Sequence, residues 1–497
     1  GIYRKQGKTI EVLDPATGEY GPSGTKPDPE VVEILKMRDP AARFAALREH
    51  ASPQARFLWC CFRDLFHYCA VHLEDIAESA RDVDLAMRWG YGYQQGPFET
   101  WQAAGWKQIA IWLREEIEAG ETMADAPLPG WVDQLSDGPH GPEGSYGPAE
   151  GAFIPRSSLP VYERQPFPEL LLGEKADPGH TLHEDDAVRI WHQDDGIAVL
   201  SFKSKMHTVS PAVVAGMEQA LDIAEDGFRG LVIWQPREPF SVGADLSAAR
   251  AELERAGPDA VQAVIETFQA ANVRLRHSHV PTVAAVRGMA LGGGCEILLH
   301  CDRTVAALES YIGLVEVGVG LLPAGGGLAE LAIRAAEEAG PGDLFTHLRP
   351  YFERAAMGQV SASAIEAKRW GLLHPEDVVV MHAHELLHVA RTQAMALAET
   401  AYRPPLPTPV KVAGAMGIAN FKAALVNMLE GRFISEHDYE IGSRIATVLC
   451  GGEIEAGEVD RQWLLDLERD HFLALMQTEK TQERIQHMLK TGKPLRN

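Results

Sequence analysis

Positive charge is in short supply in this chain. Its 46 lysines and arginines stand against 70 aspartates and glutamates over 497 residues, a formal net charge of −24. Such a surface repels nucleic acid and anionic membrane, so neither is expected as a partner. Any polyanionic ligand would need a local pocket of basic groups or backbone amides. Cysteine is sparse as well: Cys60, Cys61, Cys69, Cys295, Cys301 and Cys450, none spaced CxxC. That excludes a disulfide framework and predicts a reducing, cytoplasmic setting. No apolar run reaches the ~18 residues needed to span a bilayer, and no signal peptide is evident. The chain opens on Gly1 rather than Met, as expected of a fragment or a processed product.

What is present is ample apolar material, 45% of the residues, enough for more than one domain with a large core. Residues 1–30 are polar and rich in turn formers. Residues 30–120 read as helical and aromatic-rich, with Trp59, Phe62, Phe66 and Tyr68 as a helix core or an interdomain face. From 121 the chain changes character. Pro127, Pro129, Gly130, Gly138, Pro139, Gly141 and Pro142 punctuate a stretch of little periodicity, which predicts a linker over 121–183. A hairpin then opens a new domain. Residues 187–192 alternate apolar and polar, Asp195-Gly196 is a turn signal, and 197–202 is the return strand. Ser210-Pro211 reads as a helix start running to about Glu225, and Gly230–Trp234 as a buried strand. A helix over 258–277 and a strand over 280–286 follow. Strands alternating with helices predict a layered α/β domain. Beyond 376 the pattern is mostly helical and charged.

Three segments of the α/β region hold the chemistry. They are Phe240-Ser-Val-Gly-Ala-Asp-Leu246, Gly288-Met-Ala-Leu-Gly-Gly-Gly-Cys-Glu-Ile297, and Gly313-Leu-Val-Glu-Val-Gly-Val-Gly-Leu-Leu-Pro323, which runs on into Gly325-Gly-Gly327. Glycine-rich turns let backbone N–H groups face a ligand without interference from Cβ. A helix starting after Gly292-Gly-Gly294 adds its positive end. Two such amides from different turns suit an oxygen that gains charge as a thioester becomes an enolate. Glu296 and Glu316 lie on separate elements that are free to converge across a pocket, where two carboxyls would titrate together.

Taken together these segments closely resemble the enoyl-CoA hydratase/isomerase (crotonase) family from about residue 187 to 405. Pro281-Thr-Val-Ala-Ala-Val-Arg-Gly288 and Ser361-Ala-Ser-Ala-Ile-Glu-Ala-Lys-Arg-Trp-Gly-Leu-Leu373 add to the match. The resemblance implies a crotonase-type ββα spiral core at 184–405 with a helical C-terminal extension at 406–497. It implies Glu296 and Glu316 as the two hydratase glutamates and the N–H groups of Ala244 and Gly293 as the oxyanion hole. Val242, Asp245 and Gly292 are implied in substrate binding. The expected reaction is hydration of a trans-2-enoyl-CoA to a 3-hydroxyacyl-CoA in fatty-acid β-oxidation, with no metal or redox cofactor. Members lacking one glutamate are typically isomerases or other enzymes, so the pair favours hydration. An enoyl-CoA isomerase is one alternative; a non-catalytic scaffold binding acyl-CoA or a thiolase is another, of a different class. A thiolase partner and a homo-oligomer are implied in the same way. Three departures bear on chain-length preference and coenzyme A contacts rather than on the chemistry. Lys205-Met-His-Thr-Val-Ser210 lacks the usual Asn-Ala-Leu, and Gly325-Gly-Gly-Leu-Ala-Glu-Leu331 replaces the usual Gly-Thr-Gln-Arg-Leu. About ten extra residues lie around 340–354.

Residues 1–120 have a resemblance of their own. Ala80-Arg-Asp-Val-Asp-Leu-Ala-Met-Arg-Trp-Gly-Tyr-Gly92 and Gly96-Pro97-Phe98 look like the all-α C-terminal domain of 3-hydroxyacyl-CoA dehydrogenases. Gly1-Ile-Tyr-Arg-Lys5 looks like the end of the preceding repeat of that domain. The pairing is that of multifunctional β-oxidation enzymes. NAD is then expected only of a nucleotide-binding half that this chain lacks. Gly90-Tyr-Gly-Tyr-Gln-Gln-Gly96 has the wrong spacing for a dinucleotide turn and follows a helical pattern. His384-Glu-Leu-Leu-His388 spells a zinc-hydrolase pattern, yet no third ligand is evident, and a His-rich surface helix is expected. Cys295 and Cys301 read as small core residues. Residues 478–497 read as a solvated amphipathic helix and tail.

Overall fold

The computed structural model describes residues 1–22 and 26–497, the side chains of Ala249 and Glu254 excepted. It divides into two compact units, Gly1–Leu159 with Glu169–Ala176, and Pro160–Pro168 with Asp177–Asn497. No helix among the described residues is long and apolar enough to cross a membrane.

The first unit begins with an antiparallel sheet over Tyr3–Gln6, Thr9–Leu13 and Tyr20–Pro22, which the turn-rich sequence did not announce. Helices follow at Pro29–Leu35, Pro40–Glu49, Pro53–Ile76, Ala80–Tyr91 and Pro97–Glu118. The first three start on Asp28, Asp39 and Ser52, whose side chains accept from an amide of the first turn and precede a proline at the first helical position. Trp59 and Phe66 are buried in the core and Phe62 packs against it. Tyr68, expected with them, is exposed.

The predicted linker is overturned over much of its length. Trp131, Val132, Leu135 and Tyr146 are buried in the same core as those helices. Trp131 stacks on Trp106 and Tyr146 at centroid distances of 5.9 and 5.5 Å. The prolines and glycines there turn a small sheet, His140–Gly141, Gly144–Gly147 and Ala152–Ile154. A buried polar chain pins it: His140 Nε2 lies 2.7 Å from Asp84 Oδ2, and His140 Nδ1 lies 2.8 Å from Ser145 Oγ.

The second unit is built on seven strands: β1 (His180–Glu184), β2 (Val188–His192), β3 (Ile197–Phe202), β4 (Gly230–Trp234), β5 (Thr282–Leu291), β6 (Arg303–Gly313) and β7 (Val378–Val380). They lie side by side in sequence order. The β1–β2 and β2–β3 pairs are antiparallel; the other four are parallel, joined by helical crossovers. All of β1 but Glu184 also falls inside the predicted linker. The Asp195-Gly196 hairpin forms as expected, pairing Ile190 with Leu200. Both faces of the central strands β3 and β4 are buried, which explains their nearly continuous apolar runs. Leu231 and Ile233 enter the main core. Val232 and Trp234 face the other way, into a cluster with Leu386, Leu387 and Ala390 of the helix Leu386–Glu399.

The helices that carry or flank the site are α1 (Pro211–Gly227), α2 (Pro258–Arg276), α3 (Gly293–Leu299), α4 (Gly327–Ala339), α5 (Arg461–Met476) and α6 (Glu479–Thr491). The expected boundary at 405 does not divide this unit. Ile418, Phe421, Ile445, Leu464, Leu475 and Ile485 belong to the same core as the β4 and β5 residues, so the helices after 405 complete the core. The tail is correspondingly less solvated than expected: Thr481, Arg484 and Ile485 of α6 are buried.

Candidate active site

Two loops approach closely at the ends of β4 and β5. Ser241 pairs with Met289 and Leu291 through main-chain bonds of 3.1 and 2.9 Å. Gly243 has φ +89°, and a Cβ there would lie 2.8 Å from Leu291 O and 3.0 Å from Gly293 N. Only glycine allows that approach. It brings the Ala244 and Gly293 amides together, and neither donates to a backbone carbonyl among the described residues. Both residues line a cavity of about 780 Å³.

The same cavity is lined by Val242, Asp245, Gly292, Glu296 and Glu316, so the structure gathers every residue singled out from the sequence. Asp245 is occupied, however. Its carboxylate caps the helix Leu246–Ala256, accepting from the amides of Ser247 and Ala248 and from the Ser247 hydroxyl, which hold it below the usual carboxylate range. The rest of the wall is mostly apolar, including Val214, Ile265, Phe268, Leu322, Phe472 and Met488.

Glu296 is buried on α3. Its Oε1 accepts from the Gly325 amide at 2.7 Å and the Gly327 amide at 2.9 Å. Burial pushes this carboxyl up to about 7, and the two amides act against that rise. Glu316 lies in a short 3₁₀ turn, Glu316–Val319. Its Oε2 is buried without a hydrogen-bond partner, and its Oε1 would lie 3.0 Å from a Cβ on Gly292. Burial first, then the charge of Glu296, raise it well above the ordinary value. A third carboxyl escaped the sequence reading. Glu468 on α5 is fully buried and is also raised by burial and by Glu296. Its only sequence signal is an acid placed in the apolar stripe formed by Leu464, Leu465, Leu475 and Met476.

Other sequence features take structural roles. Cys295 and Cys301 are buried and their thiols pushed far up by burial, so they pack as small core residues. His384 sits in a 3₁₀ turn ahead of the helix that carries His388, and no metal-binding cluster occurs among the described residues. Gly90–Gly96 joins the end of one helix to the start of the next. A dinucleotide turn instead runs from strand to helix, so this stretch does not fit NAD, and no step is routed through that cofactor.

Residues 192–403 match the enoyl-CoA hydratase/isomerase family, and this part of the chain is a crotonase domain of that family. More narrowly, the chain is 35% identical over 505 residues to a probable 3-hydroxyacyl-CoA dehydrogenase of Bacillus subtilis (strain 168), covering 100% of this chain and 62% of that protein. It is 25% identical to a putative fatty acid oxidation complex trifunctional enzyme of Rickettsia felis, covering 86% of this chain and 52% of the relative. The crotonase domain thus stands in a chain of the crotonase–dehydrogenase fusion type, which spans between half and two thirds of those relatives. Among solved structures, the enoyl-CoA hydratase from Bacillus halodurans matches at 15% identity and a TM-score of 0.41, covering 60% of this chain and 99% of that one.

Proposed function

We propose that the crotonase domain is an enoyl-CoA hydratase of fatty-acid oxidation, adding water across the double bond of a trans-2-enoyl-CoA. The observation that carries this reading is a shared cavity: the buried Glu296, a Glu316 with one buried unpartnered oxygen, and two amides that donate to no backbone carbonyl among the described residues line one apolar pocket.

The amides of Ala244 and Gly293 would hold the thioester oxygen as it becomes an enolate. Water would sit between the carboxyls. Its hydroxyl oxygen bonds to C3, one of its protons passes to the Glu296 carboxylate, and the Glu316 carboxylic acid gives its proton to C2. The pair holds one proton before the reaction and one after it. Burial raises both carboxyls, and the charge of Glu296 raises Glu316 further, as suits a pair that shares one proton. No metal or redox cofactor enters the scheme. The dehydrogenase activity named for the Bacillus relative, and NAD with it, are assigned to sequence outside this chain. Association with a thiolase or with further copies of the chain belongs to the same proposal.

The test is the loss of enoyl-thioester absorbance with crotonyl-CoA. Glu296→Gln and Glu316→Gln are each expected to lower turnover roughly 10²- to 10⁴-fold, about 3–5 kcal/mol of transition-state stabilisation. Near-normal turnover in either variant refutes the paired mechanism. A wild type that shifts the double bond of a 3-enoyl-CoA but hydrates nothing is an isomerase. One that binds a saturated acyl-CoA and consumes neither substrate is a scaffold.

A further inference from the structure

Glu468 takes no part in the scheme above, yet its contacts reach the reacting carboxyl through one loop. Its Oε2 accepts from the Gly326 amide at 2.8 Å and its Oε1 from the Ala329 amide at 2.7 Å. These bonds interleave with those of Glu296, which takes the amides of Gly325 and Gly327 on either side. Successive N–H groups along Gly325–Gly327 therefore point alternately at two carboxyls. From another side, Asn272 Nδ2 donates to Gly325 O at 2.8 Å. Gly326 has φ +101°, and a Cβ there would lie 2.8 Å from the His300 ring. Gly325 and Gly327 are equally confined, since a Cβ on either would meet Glu296 within 2.7 to 2.9 Å. This crowding confines all three positions to glycine.

We propose that Glu468 is a positioning residue: by holding Gly326 and the first turn of α4, it aims the amides of Gly325 and Gly327 at Glu296 Oε1. The Glu296 carboxyl is then fixed in rotation, with Oε2 left for the cavity. The inference rests on the hydratase reading. A carboxyl group suits the task because each of its two oxygens can accept from one of the N–H donors, and those donors act against the rise that burial imposes. Glutamine offers one acceptor oxygen and sets an N–H against the other amide. A loop released at Gly326 displaces the reacting group by a fraction of an ångström, and such misplacement costs rate more than binding.

The experiment compares wild type, Glu468→Gln and Glu468→Asp, in the full chain, for three quantities. These are turnover of crotonyl-CoA, the Kd of the saturated analogue butyryl-CoA, and thermal unfolding. Turnover of Glu468→Gln is expected to fall roughly ten- to a hundredfold while the butyryl-CoA Kd stays near that of wild type. Glu468→Asp, which keeps two acceptor oxygens, is expected to recover part of the loss. Unchanged turnover in a folded Glu468→Gln overturns the inference. So does a joint fall of binding, turnover and Tm that aspartate does not rescue, the pattern of a residue that only supports the fold. If Glu468→Gln does not fold, Asn272→Ala frees the same loop from the Gly325 side and must show the same split between turnover and binding. An active wild type with an equally active variant sinks this inference alone. A wild type that binds butyryl-CoA but hydrates no enoyl-CoA sinks the hydratase reading and this inference with it.

Discussion

Glu296 keeps its proton up to about pH 7, against an ordinary value of 4.5, because burial disfavours its charged form. Between those two values the folded chain binds more protons than the unfolded one. This group's contribution to stability is therefore full below about pH 4.5 and lost as pH rises through about 7. Glu296→Gln cannot ionise and lacks that slope. Urea unfolding across pH is expected to show the variant gaining on wild type from pH 4.5 to 7, then levelling. A difference that does not change with pH would place the carboxyl in a wetter setting than the one described. At this scale the sequence was informative where chemistry sits in a contiguous motif. Glu296, Glu316, Ala244 and Gly293, which line one cavity, were singled out because each lies in or beside a glycine-rich turn that carries the family resemblance. Asp245 was assigned to substrate; it lines the cavity and its Oδ1 also caps a helix, a local use that the motif does not distinguish. Glu468 was not legible, since its partners Gly326 and Ala329 lie 142 and 139 residues away and no local pattern records that contact.

Between single residues and the whole fold, the small elements show why the linker reading failed. Periodicity identifies long amphipathic helices and alternating strands, and it found the 187–202 hairpin and the helix that starts at Pro211. It has little purchase on strands of two to four residues, such as those between His140 and Ile154. There burial is carried by isolated rings rather than by a repeating face. Trp131, stacked between Trp106 and Tyr146, is the clearest case. Trp131→Ala is expected to destabilise the first unit by about 3–5 kcal/mol, the usual cost of removing a large buried ring. A linker tryptophan would change stability by no more than about 0.5 kcal/mol. Chemical denaturation followed by circular dichroism separates the two.

On the scale of the molecule, the α/β class and the crotonase region were legible, but the end of the crotonase-bearing unit was not. The family resemblance stops near residue 405, and the helices beyond it look from sequence like an appendage. They supply Ile418, Phe421, Ile445, Leu464 and Leu475 to the main core. A chain cut after residue 405 is expected to aggregate and to lose the proposed hydratase turnover, because it leaves a large apolar face of the remaining core bare. A soluble, monodisperse and active truncation, judged by size exclusion and the absorbance assay, would restore the boundary at 405. The tie between Gly326 and Glu468 also has a consequence in time. Nascent chains fold from the N-terminal side as they emerge, so the strands and the loop bearing Glu296 are made long before α5. Until synthesis has passed residue 468, the pocket has its acids but not the clamp on its glycine loop, and a partly made protein should handle no substrate.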